Sequence, residues 1–164
     1  MKKLRLPALL LALLLLIGAC SAAMASESYS GYFLTALDKS QIQSFMESGS
    51  GDTRAMLACL LVLDYFRASE KSASIVNFDA NMYVGQYGTS NNIDLFVRKA
   101  DDTGYMNLCY YPLDNSLSVY NFTYTEEALE SKFQTDSNYS RNYSRITPAM
   151  FASAMDLVTE ALGA

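Results

Sequence analysis

Apolar and polar positions along this chain change rhythm several times, and each change marks a boundary. The first apolar block runs without a break from Leu6 to Ile17. It is too short to cross a bilayer comfortably, which takes about 20 residues. Between Tyr29 and Met46, the residues Phe33, Leu34, Leu37, Ile42 and Phe45 recur at helical spacing. Ser48-Gly49-Ser50-Gly51 interrupts that rhythm, and Asp52 is placed to cap a second helix reaching about Ala68. Ala55 through Leu63 is apolar throughout, so this second helix is expected to be buried on most sides and to form the hub of the core.

After Ser69-Glu70-Lys71-Ser72 the period becomes two. Val76, Phe78, Ala80, Met82 and Val84 alternate with Ile75, Asn77, Asp79, Asn81 and Tyr83, which predicts a strand with one dry face. Gly88 to Asn92 turns the chain, and Ile93, Leu95 and Val97 then alternate with Asp94, Phe96 and Arg98. Asp101-Asp102-Thr103-Gly104 predicts a hairpin, followed by strands over Tyr105 to Tyr111 and Leu117 to Tyr124 with a turn at Pro112 to Ser116. Glu126 to Phe133 reads as a short helix with acidic residues at its positive end. Gln134 to Thr147 is polar and holds a tandem tetrapeptide, Asn138-Tyr139-Ser140-Arg141 and Asn142-Tyr143-Ser144-Arg145. Thr147-Pro148 starts a last helix in cap-then-proline order, and Gly163 ends it.

This order predicts an α+β fold in two layers. An antiparallel meander of about four strands carries two N-terminal helices and a C-terminal helix packed on one face. The expected organisation is a leader over 1–19 (or to 25), a tether over 20–28, and a single α+β domain over 29–164.

The leader supplies the one resemblance. Basic residues at Lys2, Lys3 and Arg5 precede the apolar block, which runs into Ile17-Gly18-Ala19-Cys20. That segment resembles the signal and lipobox of bacterial lipoproteins. The resemblance implies cleavage before Cys20, a diacylglycerol thioether on its sulfur, and an extracytoplasmic protein anchored to the cell membrane. A second site competes: Ala23-Met24-Ala25 matches an A-x-A cleavage site that would release a soluble, secreted chain beginning at Ser26.

Charge then narrows the partners. Three of the 12 basic residues lie in the leader, so nine remain against 17 acidic ones and the mature chain is near −8. Phosphate backbones repel such a surface, so no nucleic-acid partner is expected. The sequence has no histidine, which excludes Ser-His-Asp and Cys-His catalysis and histidine metal sites. No metal-ligand set stands out and no cofactor motif is present. With no tryptophan, the 12 tyrosines are the conspicuous aromatic resource.

Many of those tyrosines alternate onto the second face of the predicted sheet. Tyr83, Phe96, Arg98, Tyr105, Asn107, Tyr111 and Tyr120 share that face and are the expected ligand-binding residues, since tyrosines mixed with amides both pack and hydrogen-bond. A competing reading covers the same face with a terminal helix. Cys59 and Cys109 are expected as two unlinked thiols, because one sits mid-helix and the other points away from that helix. Arg141 and Arg145 beside Tyr139 and Tyr143 offer forks for anionic ligands, against a solvated loop whose arginines pair with the protein's own carboxylates. The leading expectation is a non-catalytic, membrane-anchored binding module for a protein, peptide or small molecule. Its alternatives are a small hydrolase of envelope material using Asp79 and Asp94, and a self-associating structural lipoprotein.

Overall fold

The computed structural model describes residues 27–29, 39–48, 51–139 and 142–162. Helix α1 spans Lys39–Ser48 and α2 spans Gly51–Ser69. A 3-10 turn at Ala73–Ile75 leads into strands β2 (Met82–Gly85), β3 (Ile93–Arg98), β4 (Tyr105–Tyr111) and β5 (Ser116–Phe122). Helix α3 spans Glu126–Thr135, and α4 spans Pro148–Leu162. Short strands close both edges: β1 (Glu27–Tyr29) pairs with β5, and β6 (Ser144–Ile146) pairs with β2. The sheet order is β1-β5-β4-β3-β2-β6, antiparallel at every join. The α+β fold with its central meander is therefore as the pattern predicts.

Turn chemistry sets the meander's register. Between β3 and β4, Asp102 has a φ of 62° and Gly104 a φ of 150°. A Cβ at Gly104 would stand 1.8 Å from the Phe122 carbonyl oxygen, so both the φ and the close strand approach require glycine. The Asp101 carboxylate accepts from the Thr103 N–H at 3.1 Å, tightening the loop.

The main core lies between the sheet and the helices α1, α2 and α4. The apolar run of α2 is buried nearly all round, from Ala55 through Val62, because the sheet covers one side and α1 and α4 the other. Met82, Val84, Leu95, Leu108, Leu117 and Val119 meet it from the strands.

Four expectations need correction. The strand expected from Val76 begins only at Met82, because Asn77 Oδ1 captures the Asp79 N–H at 2.9 Å and turns the chain; Val76 keeps a single bridge to Lys99. Tyr29 belongs to an edge strand and not to the first helix, and Glu27 and Ser28 join the sheet where a tether was expected. The polar segment after α3 contains β6, whose Ile146 is buried in the main core. Finally, the two N-terminal helices and the C-terminal helix share one face as expected, but the short helix α3 packs on the opposite face and adds a third layer to the expected two. Within the expected first helix, Phe33, Leu34 and Leu37 lie outside the described residues, as do Cys20, the leader, Arg141 and Gly163.

Candidate functional site

The second face of the sheet is covered by α3 and the segment that follows it. Leu129 of α3 is fully buried against Tyr83, Phe96 and Tyr105, and Phe122, Tyr124, Phe133, Tyr139 and Tyr143 complete the cluster. Glycine at 85 permits this closure: a Cβ there would lie 2.4 Å from the Asn142 carbonyl and 2.8 Å from Tyr143 Cα. From the other side, Arg54 of α2 donates to the Asn142 carbonyl at 3.3 Å and to Ser144 Oγ, holding the second tetrapeptide against the sheet.

The structure separates the expected ligand-binding residues into two groups. Tyr83, Phe96, Tyr105 and Asn107 are 3%, 2%, 0% and 4% exposed. The three rings form an inner aromatic layer with Asn107 buried on the same face, and the expectation that these four line an open face is corrected: Leu129, Phe122, Tyr124, Phe133, Tyr139 and Tyr143 pack against the rings and leave water too little to touch. Arg98, Tyr111 and Tyr120 are half-buried. The Arg98 guanidinium is already committed, donating to Asp102 Oδ1 at 3.0 Å and to the Tyr124 carbonyl at 3.0 Å, with its plane 5.2 Å from the Tyr105 ring centre. It staples the hairpin to the end of β5.

Beneath the cover lies a polar nest. Tyr143 Oη donates to Asp94 Oδ2 at 2.7 Å, and Asn92 Nδ2 reaches Cys109 Sγ at 3.4 Å. Burial first, and the Asp94 charge second, push the Cys109 thiol up to about 12 and the Tyr143 phenol far above its usual range. Cys59 is buried on the opposite side of the sheet with Sγ 3.6 Å from the Phe151 carbonyl, and burial raises it to about 12 as well. Both cysteines are free thiols, as their placement on opposite faces predicts. Asp79 is exposed in the turn before β2, whereas Asp94 lies opposite Gly85 at the far end of that strand, so the two carboxylates do not face one another.

A concavity opens on this face beside the aromatic cluster, and the sequence pattern names only part of it. Tyr83, Glu130, Phe133, Gln134, Tyr139, Tyr143 and Arg145 line a cleft of about 310 Å³ between α3, β2 and β6. Phe133 and Tyr143 stack with ring centres 4.5 Å apart, and Tyr139 lies 5.3 Å from Tyr143. The tandem repeat thus delivers both its tyrosines to one wall. At the rim, Tyr83 Oη donates to Glu130 Oε1 at 2.6 Å, with Glu126 Oε1 at 3.1 Å. Burial and these two carboxylates push the Tyr83 phenol well above its ordinary value. Arg145, directly opposite Tyr83 in the β2–β6 pairing, leans on Glu126 at 3.7 Å and Glu130 at 4.0 Å. Pairing with the protein's own carboxylates is as expected, but Arg145 makes it from strand β6 and not from a loop. Phe133, Glu126 and Glu130 were legible only as a short acidic helix; their spacing of four and three on α3 was the available signal.

A more enclosed cavity of about 340 Å³ lies between α1 and the β2–β3 and β4–β5 turns. Its walls are mostly carboxamides and aliphatic side chains, among them Asn92, Ile42 and Pro112, with Glu47 and Ser40 beside them and no aromatic ring among the lining residues. Among the described residues no helix is long and apolar enough to cross a membrane. No family model matches the chain, and neither the curated proteins nor the solved structures contain a match to it.

Proposed function

We propose that this chain is an exported, non-catalytic binding module, anchored in the membrane through a lipid on Cys20, and that its ligand site is the aromatic cleft beside α3. The lipobox-like Ile17-Gly18-Ala19-Cys20 supports the anchor. The observation that carries the binding reading is the cleft itself, where stacked rings meet a carboxylate and a guanidinium at one rim. Concave sites that join apolar walls to a few fixed polar groups are what small-ligand recognition needs. The reading keeps the tyrosine-based site expected from alternation and moves it from the strands to their cover.

Two measurements test it. In backbone amide NMR titrations with small peptides, amines and sugars, ligand shifts are expected to cluster at Tyr83, Phe133, Tyr139 and Tyr143. They should vanish in a Gln134→Ala, Tyr139→Ser variant whose circular dichroism is unchanged. Shifts clustered away from the cleft overturn the site. The mass of the native N-terminus tests the anchor: a diacylated Cys20 supports it, and a free Ser26 removes it.

A further inference from the structure

We infer that the cleft's ligand is an organic cation with a short apolar body, an alkylammonium or alkylguanidinium group, and that Arg145 occupies the position of its charged end. This rests on the cleft being the ligand site.

Charge count at the rim is the first reason. Glu126 and Glu130 lie one turn apart on α3 and converge on the same phenol oxygen. A phenol has one proton, and the 2.6 Å contact gives it to Glu130; Asn81 Nδ2 donates to Glu126. Neither donor carries a positive charge. Arg145 supplies one, from 3.7 and 4.0 Å, beyond hydrogen-bond length. Its side chain is 55% exposed. A contact so long and so wet contributes little, so a ligand cation can displace it cheaply. An anion arriving here would meet two carboxylates for one guanidinium.

Ring faces are the second reason. The faces of Phe133, Tyr139 and Tyr143 present negative potential to anything above them, and an alkyl chain also packs on them. The protein already uses this preference at one of these rings, where Lys132 Nζ lies 5.4 Å from the Tyr139 ring centre while pairing with Asp136 at 3.6 Å. A cation lying along the rings reaches Glu130 with its head. The chain's net charge of −5 raises the local concentration of cations in the same direction.

The test titrates the native protein at low ionic strength with n-butylguanidinium and n-butylammonium, and with butyrate and n-butanol, which keep the apolar body and change or remove the charge. Saturable shifts of the Tyr83, Phe133, Tyr139 and Tyr143 amides are expected with the two cations and not with butyrate. Glu130→Gln should weaken the cations about tenfold, the scale of one charge-assisted contact on an aromatic floor. Arg145→Ala should tighten them severalfold, because it removes the competitor. Spermidine compared with an end-blocked arginine peptide then tells a free polyamine from a protein side chain. Butyrate saturating the cleft, or Arg145→Ala weakening the cations, overturns the inference. If butanol and butyrate bind there as well as the cations do, the cleft survives as a site and only the cation assignment falls.

Discussion

Tyr143 fastens the cleft wall to the sheet. Its hydroxyl donates to a carboxylate that is 5% exposed, and its raised pKa keeps that proton in place across neutral pH. Removing the hydroxyl leaves Asp94 buried with one donor fewer, which costs more than the hydrogen bond itself gained. Tyr143→Phe is therefore expected to lower unfolding free energy by about 2 kcal/mol in urea titrations. A loss within error of zero would mean that Asp94 finds another donor. Alternation placed Asp94, Cys109 and Tyr83 on one face correctly, because strand geometry alone decides that. It gave no hint that Tyr143 would come back 49 positions later to meet Asp94.

At the scale of elements, α3 decides what the second face can do. Its local signals were readable: Thr125 caps it through a 3.2 Å bond from the Ala128 N–H, and Glu126 and Glu127 sit in its first turn. Its docking was not readable, because Leu129 and Phe133 make a narrow apolar stripe on an otherwise polar helix. That stripe suffices since the strand face beneath is itself aromatic. Leu129→Ala should cost about 2–5 kcal/mol, against about 1 kcal/mol for Thr125→Ala. The larger loss should come with new binding of a hydrophobic dye as Phe96 and Tyr105 are uncovered. Equal costs would mean that α3 is held by its cap and not by packing. Edge strands β1 and β6 escaped the pattern for a different reason: three residues are too few to show alternation.

For the whole molecule, burial of neutral acids ties stability to alkaline pH. Cys59 and Cys109 are raised from 9.0 to about 12, and Tyr105 from 10.0 to about 12. Folding keeps each proton on, so the contribution is complete below pH 9 and is lost as pH climbs toward 12. In that window each group costs about 1.4 kcal/mol per pH unit. Urea midpoints should hold steady to about pH 8.5 and fall steeply by pH 10.5. A flat profile would show that the thiols ionise as easily inside as outside.

What the sequence determined by itself was the series of elements and the main core. Both follow from periods of two and 3.6 and from punctuation by glycine, proline and capping residues, which act over a few neighbours. The α2 hub, the β3–β4 hairpin and the Pro148 start of α4 are all of this kind. Tertiary structure alone decided which face α3 would cover, and with it whether Tyr83, Phe96 and Tyr105 would meet solvent or lie beneath a helix. That choice is made by long-range contacts, the Arg54 hold on Ser144, the room left by Gly85 and the Tyr143–Asp94 bond, none of which has a local signature. The cleft exists only because those contacts are made together.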